Sequence, residues 1–139
     1  ELESMGIDIG GHTLTHARLS HLSNSGQRRE VEECTAELEA ALGHGIGIFA
    51  YPFGSKLDYN LHSMVCVEEA GYELAVSNCY GAVVAGSSIW ELPRIWIDRT
   101  DTIDTFAQKV TGALDGLSLL DSYWGIRARR VSNRILGVK

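Results

Sequence analysis

Apolar residues recur at helical spacing between residues 27 and 42, where Val31, Cys34, Leu38, Ala41 and Leu42 form one stripe. That spacing predicts a helix, with serines at 23 and 25 as caps and Gly43 as its stop. Ile7 and Ile9 flank Asp8 in a short strand-like alternation, and Ile46, Ile48 and Phe49 predict a strand that runs into Tyr51-Pro52-Phe53-Gly54. Proline and glycine end that strand and open a loop. Further on, the pattern predicts a helix over 61–70 closed by Gly71, a strand over 74–76 and a loose stretch to Ser88. A strand over 92–97, interrupted by Pro93, a helix over 102–114 and another from about residue 119 complete the chain. Strands alternating with helices in this way predict an α/β fold, either a mostly parallel sheet or part of a barrel. The strands are few for a closed barrel.

Composition narrows the picture. A chain of 139 residues, 45% hydrophobic and 22% charged, fits one ordinary globular domain with a real core. The net charge of −6 argues against nucleic acid as the main partner. No apolar run is long enough to span a bilayer. Charge is unevenly spread: residues 118–139 carry four Arg and one Lys against one Asp. There Leu120, Trp124, Val131 and Ile135 keep rough helical spacing, which sets residues 116–139 apart from residues 1–115 as a basic amphipathic helix. Such a helix suits peripheral contact with an anionic membrane, and equally a terminal helix packed on the domain with a solvated basic face. Cys34, Cys66 and Cys79 form no Cys-x-x-Cys pair and no disulfide framework; Cys34 and Cys66 fall on apolar helix positions and read as small core residues. The opening Glu1-Leu2-Glu3-Ser4-Met5-Gly6 reads as the end of a helix, so the chain is expected to be a fragment whose first units lie upstream.

The candidate chemistry is concentrated in Gly10-Gly11-His12-Thr13-Leu14-Thr15-His16. Neutral imidazoles are the commonest metal ligands, and a spacing of four puts two on one face of a helix or of a strand. A pair of surface or capping histidines remains the alternative, because the Glu of His-Glu-x-x-His is missing. The position favours a site: the glycine pair is expected to open room at a strand end, where ligand sites of α/β folds gather. Thr13 and Thr15 offer hydroxyls to orient an imidazole or a substrate.

With its neighbours, this cluster resembles the polysaccharide deacetylases with a NodB-homology domain, carbohydrate esterase family 4. His12-Thr13-Leu14-Thr15-His16 matches that family's His-Ser/Thr-x-x-His motif, and Ala17-Arg18-Leu19-Ser20 continues the likeness. Ala50-Tyr51-Pro52-Phe53-Gly54 is a variant of its Arg-Pro-Pro-Tyr-Gly motif. Glu69-Ala70-Gly71-Tyr72 and Leu92-Pro93-Arg94-Ile95 extend the resemblance over about residues 2–110. It implies a partial, deformed (β/α) barrel and metal-dependent hydrolysis of N-acetyl groups on an N-acetylglucosamine-type polysaccharide. By position, His12 and His16 become ligands of a divalent metal, Zn²⁺ by preference. The backbone N–H of Phe53 becomes the oxyanion donor, and Tyr51 and Pro52 shape the groove beside it. Asp58 becomes a candidate substrate contact, although turn chemistry accounts for an aspartate there as well.

The departures are equally specific. The aspartate pair of the family's first motif is expected upstream of residue 1, with the third metal ligand and the catalytic base. The motif arginine aligns with Ala50, and no Leu-x-His motif with a catalytic acid follows Val76. Arg94 is the candidate to supply the missing guanidinium from another strand; an edge-strand arginine in solvent is the alternative. His21, His44 and His62 read as exposed loop or helix-end residues. Trp90 and Trp96 suit sugar stacking, with core packing preferred for Trp96. The expectation is therefore an N-deacetylase whose chain is inactive alone. A carbohydrate-binding relative without catalysis, or another amide hydrolase on a similar barrel, are the other readings. Cell envelope and cytoplasm are both left open.

Overall fold

The computed structural model describes residues 1–114 together with Gly116, Asp121, Ile126 and Arg127. Three parallel strands form the sheet: β1 (Ile48–Ala50), β2 (Leu74–Tyr80) and β3 (Leu92–Arg94), in that spatial order. Helix α1 (Asn24–Leu42) precedes β1, α2 (Leu61–Glu69) joins β1 to β2, β3 follows β2 without a helix, and α3 (Ile103–Val110) comes after β3; short 3-10 turns lie at Glu3–Met5 and Leu19–His21. This is the α/β architecture with a small parallel sheet that the alternation predicts. Ile48, Phe49 and Ala50 pair with Leu74, Ala75 and Val76. On the other side of β1, Gly11 forms a parallel bridge to Phe49, donating to the Ile48 carbonyl and accepting from the Ala50 N–H, each at 2.8 Å.

The core lies between the sheet and helices α1 and α2. Leu19, Val31, Phe49, Cys66, Val67 and Ala75 are fully buried there, and Cys34 is buried with them. Aromatic rings fill the space at the strand ends: Phe49 meets Tyr51 and Tyr72 edge-on, and Tyr51 stacks on Tyr59 with centroids 4.1 Å apart. Helix α1 begins at Asn24, three residues before the start expected at residue 27, because the Ser23 hydroxyl accepts from the Gly26 N–H. Its buried positions are Gln27, Glu30, Val31, Cys34 and Thr35, so the inner face is partly polar. Ser63 in α2 donates to the Gln27 amide oxygen at 2.7 Å and pins the two helices together.

Three sequence expectations change. Strand β2 continues to Tyr80 through the stretch expected to be loose, because Ala75, Ser77 and Cys79 alternate inward as small residues with little hydrophobic signature. Strand β3 stops at Arg94, so residues 95–97 leave the sheet and Trp96 is 43% exposed, edge-on to Tyr80, rather than in the core. Residues 7–9 form no strand, since only Gly11 meets β1. The basic helix expected over 116–139 falls almost wholly outside the described residues. Among the described residues no helix is long and apolar enough to cross a membrane.

The glycine pair serves close packing rather than open room. A Cβ on Gly10 would sit 2.6 Å from the Ile48 carbonyl oxygen, and one on Gly11 would overlap the Tyr72 hydroxyl. Tyr72 is buried and its hydroxyl accepts from Thr35 at 2.9 Å, so it has little freedom to withdraw. Gly11→Ala is therefore expected to lower unfolding stability by about 1–3 kcal/mol in urea denaturation.

The N-terminal turn is fastened by His44, whose Nδ1 lies 2.8 Å from the Gly45 carbonyl and Nε2 2.9 Å from Glu3. The Gly45 hydrogen bond and then the Glu3 charge raise the imidazole above its ordinary pKa. A raised folded-state value means the stabilisation is fully present below about pH 6.5 and is lost as pH rises through the raised value. Tm measured across that window should fall more steeply with pH in the unaltered chain than in Glu3→Gln.

Candidate functional site

The chain leaves the sheet at Gly11 and runs as a loop from His12 to Arg18, beside the end of β1. Two of its residues, Thr13 (φ 62°) and His16 (φ 60°), adopt left-handed backbone that costs non-glycine residues about 1–2 kcal/mol each. Helix α1 holds the loop in place. The Leu14 N–H donates to the Glu30 carbonyl at 3.0 Å, while the Thr15 N–H and hydroxyl donate to the two Glu30 carboxylate oxygens at 2.9 and 2.8 Å. Glu30 is buried, so these charge-assisted bonds lie in a low-dielectric setting. The threonine hydroxyls thus have other uses than orienting an imidazole. Thr15 serves Glu30, and the buried Thr13 Oγ1 has no partner among the described residues.

His12 projects toward solvent with its Nδ1 2.6 Å from the Ala50 carbonyl oxygen. A carbonyl only accepts, so Nδ1 carries a proton, and in the neutral ring Nε2 keeps its lone pair. Metal-ligating histidines are commonly oriented by such a bond. The exposed His16 ring lies 4.9 Å from His12 and 5.0 Å from Phe53, edge-on to both. Among the described residues no group of three or more His, Cys, Asp or Glu side chains is placed to hold a metal.

The loop after β1 completes the cluster. Phe53 is left-handed (φ 61°) and half exposed, and its N–H finds no acceptor among the described residues. Gly54 follows with φ 68°, and a Cβ there would lie 2.6 Å from the Asn78 nitrogen, so only glycine fits. The Arg18 guanidinium lies 4.5 Å above the Phe53 ring, and its Nη1 is 2.8 Å from Asp58. Asp58 is 3% exposed and accepts from the Ser55 N–H at 2.9 Å and hydroxyl at 2.5 Å. Ser20 adds two bonds, from its N–H to the Asp58 carbonyl and from its hydroxyl to the Leu57 carbonyl.

The structure therefore brings His12, His16 and Phe53 together and puts the other candidates elsewhere. Tyr51 and Pro52 are buried under the loop instead of lining a groove. Burial raises the Tyr51 phenol above its ordinary pKa, keeping it neutral to donate to the Trp90 carbonyl at 2.8 Å. Asp58 directs its carboxylate into the loop, toward Arg18 and Ser55. Arg94 is exposed, with Nε donating to the Ser77 carbonyl at 2.7 Å, and none of its contacts is with the histidines or Phe53. Burial raises the Cys66 and Cys79 thiols above their ordinary range, which makes them poor nucleophiles. The residues that sequence reasoning missed are Glu30, Arg18 and Ser55. For Glu30 a signal existed: Gln27 and Glu30 each lie four residues before an apolar stripe residue, Val31 and Cys34, and so share the inner face.

Comparison with known proteins agrees with this fold. The family pattern described as polysaccharide deacetylase matches residues 1–75. No curated protein matches the chain. The Streptococcus pyogenes deacetylase PplD, solved in complex with acetate, is a structural match with TM-score 0.65 and 26% identity, covering 70% of this chain and 42% of that one. A polysaccharide deacetylase from Bacillus cereus matches in fold with TM-score 0.67 and 23% identity, over 78% of this chain and 34% of that one. The chain spans less than half the length of these solved proteins.

The loop's dependence on α1 is open to test. Glu30→Gln replaces an acceptor pair with one acceptor and one donor opposed to the Thr15 donors. Loss of a charge-assisted bond is expected to lower stability by about 1.5–3 kcal/mol, measured by chemical denaturation. The His16 ring resonances should shift with it.

Proposed function

The chain belongs to the polysaccharide deacetylase family, and from that membership we propose that it carries part of a site for metal-dependent removal of N-acetyl groups from an N-acetylglucosamine-type polysaccharide. The observation that carries this reading is the His12 bond to the Ala50 carbonyl, which leaves Nε2 available beside His16 and the unclaimed Phe53 N–H. The two imidazoles fit a divalent cation as two ligands of three, the number a catalytic zinc site usually takes from protein. Such an ion, when bound, polarises an acyl oxygen and lowers the pKa of water.

In the reaction, water adds to the acetyl carbon, the carbon–nitrogen bond breaks, the amine nitrogen takes a proton and acetate leaves. His12 and His16 would hold such a cation, each through one ring nitrogen. The Phe53 N–H donates to the oxygen on which negative charge develops, the role that removing one such donor shows to be worth about 10²–10³ in rate. The Phe53 ring gives the acetyl group or a sugar face an apolar surface. The acetate bound by the streptococcal relative is the acid this hydrolysis releases.

Ala50 favours a second reading, a carbohydrate-binding relative, because the motif it resembles has arginine there. Two measurements separate the readings. Zn²⁺ titrated into the chain by calorimetry should bind, more weakly than at a three-ligand site, and His12→Ala or His16→Ala should abolish the binding. Unchanged affinity in both variants sinks the assignment of the ligands. Acetate release from an N-acetylated glucosamine oligomer, assayed with the protein that contains this chain, supports deacetylation; glycan binding with no release supports the second reading.

A further inference from the structure

We propose that Arg18 is a positioning residue that sets the Phe53 N–H and the His16 imidazole relative to one another through the Phe53 ring. The inference rests on the deacetylase reading only for its effect on turnover.

Phe53 is the least supported residue of the cluster. Its backbone is left-handed, its N–H is unclaimed among the described residues and its side chain is 49% exposed. Two groups hold its ring: His16 at the edge, 5.0 Å between centroids, and the Arg18 guanidinium over the face at 4.5 Å. That distance lies within the range in which a cation is attracted to an aromatic face. The guanidinium is itself fixed by Asp58, which belongs to the same loop as Phe53. One planar group thus grips the loop at two points, residue 58 by its charge and residue 53 by its face.

This double grip separates positioning from simple support. The ion pair alone needs only a cation at residue 18, and an ammonium serves. Stacking needs the flat, weakly hydrated guanidinium, which an ammonium does not reproduce. If Arg18 merely stabilised the loop, a lysine keeping the pair with Asp58 would leave the Phe53 ring and His16 undisturbed. If it positions Phe53, the lysine preserves the fold and still disturbs both.

The test is a double-mutant cycle on the chain without metal: the unaltered sequence, Arg18→Lys, Phe53→Leu and the double variant. The reporters are the His16 ring resonances and the residue 53 amide resonance by NMR, with Tm recorded for each. Arg18→Lys should leave Tm near that of the unaltered chain. It should shift the His16 ring signals and the residue 53 amide resonance. Neither reporter should respond to Arg18→Lys in the Phe53→Leu background. Equal responses in both backgrounds, or none in either, overturn the proposal.

In the protein that contains this chain, Arg18→Lys should reduce kcat for acetate release by about tenfold to a hundredfold, the effect of a small misplacement of reacting groups, with KM little changed. A KM effect at constant kcat overturns the positioning role. Absence of acetate release from the unaltered protein overturns the deacetylase reading instead, and leaves the NMR cycle to decide the role of Arg18.

Discussion

The buried carboxylate of Asp58 is the constraint on which the placement of the site depends. Taking a carboxylate out of water costs several kcal/mol unless a cation and hydrogen-bond donors replace the solvent. Arg18 supplies the cation, and the Ser55 N–H and hydroxyl supply donors. Arg18 follows the histidine loop, whereas Ser55 and Asp58 belong to the loop that leaves β1. Satisfying one buried charge therefore forces two segments, distant in sequence, into one fixed arrangement. The Ser20 bonds to Leu57 and Asp58 tighten the same seam. Removing only one partner of such a pair is far more damaging than its surface equivalent, because the other charge stays buried.

Glu30 plays the matching part on the other side of the histidine loop. It too is a buried carboxylate, and its two oxygens are taken up by Thr15. Between these anchors sit the chain's three left-handed non-glycine residues among those described, Thr13, His16 and Phe53. Each costs about 1–2 kcal/mol as a left-handed conformation and persists only where its surroundings over-determine it. Charge-assisted hydrogen bonds at about 1.5–3 kcal/mol each are of the right size to offset that cost. Strain gathered at the histidines and at the neighbouring unclaimed N–H is the distribution expected of a site that exposes polar groups in a fixed direction.

The sequence revealed whichever features are encoded locally. The stripe from Val31 to Leu42 identified α1, the glycine stops at 43 and 71 bounded two helices, and the histidine spacing singled out the cluster. Features set by long-range contact were hidden. Ser77 and Cys79 are strand residues only because their small inward side chains suit the space beneath the loop. Nothing in the local pattern connects Arg18 to Asp58, forty residues away, or keeps Arg94 on the sheet surface. Tyr51 and Trp96 exchanged roles for the same reason. A large aromatic goes to the core or the surface according to what packs around it, and Tyr51 has Phe49, Tyr59 and a carbonyl for its hydroxyl.

The orientation of His12 shows how sheet register determines a chemical state. Residue 50 is held from both sides by adjacent residues: its N–H donates to the Gly11 carbonyl and its own carbonyl accepts from the His12 ring. The first bond exists because Gly11 faces Phe49 in the parallel bridge, and that approach requires glycine, since a Cβ would meet Tyr72. A slip of one residue would point the residue 50 carbonyl away from His12 and leave its tautomer unset. The imidazole is oriented by a backbone oxygen, so the side chain at residue 50 is not needed for this task. Alanine there leaves the His12 half of the site intact whatever it removes from the other half.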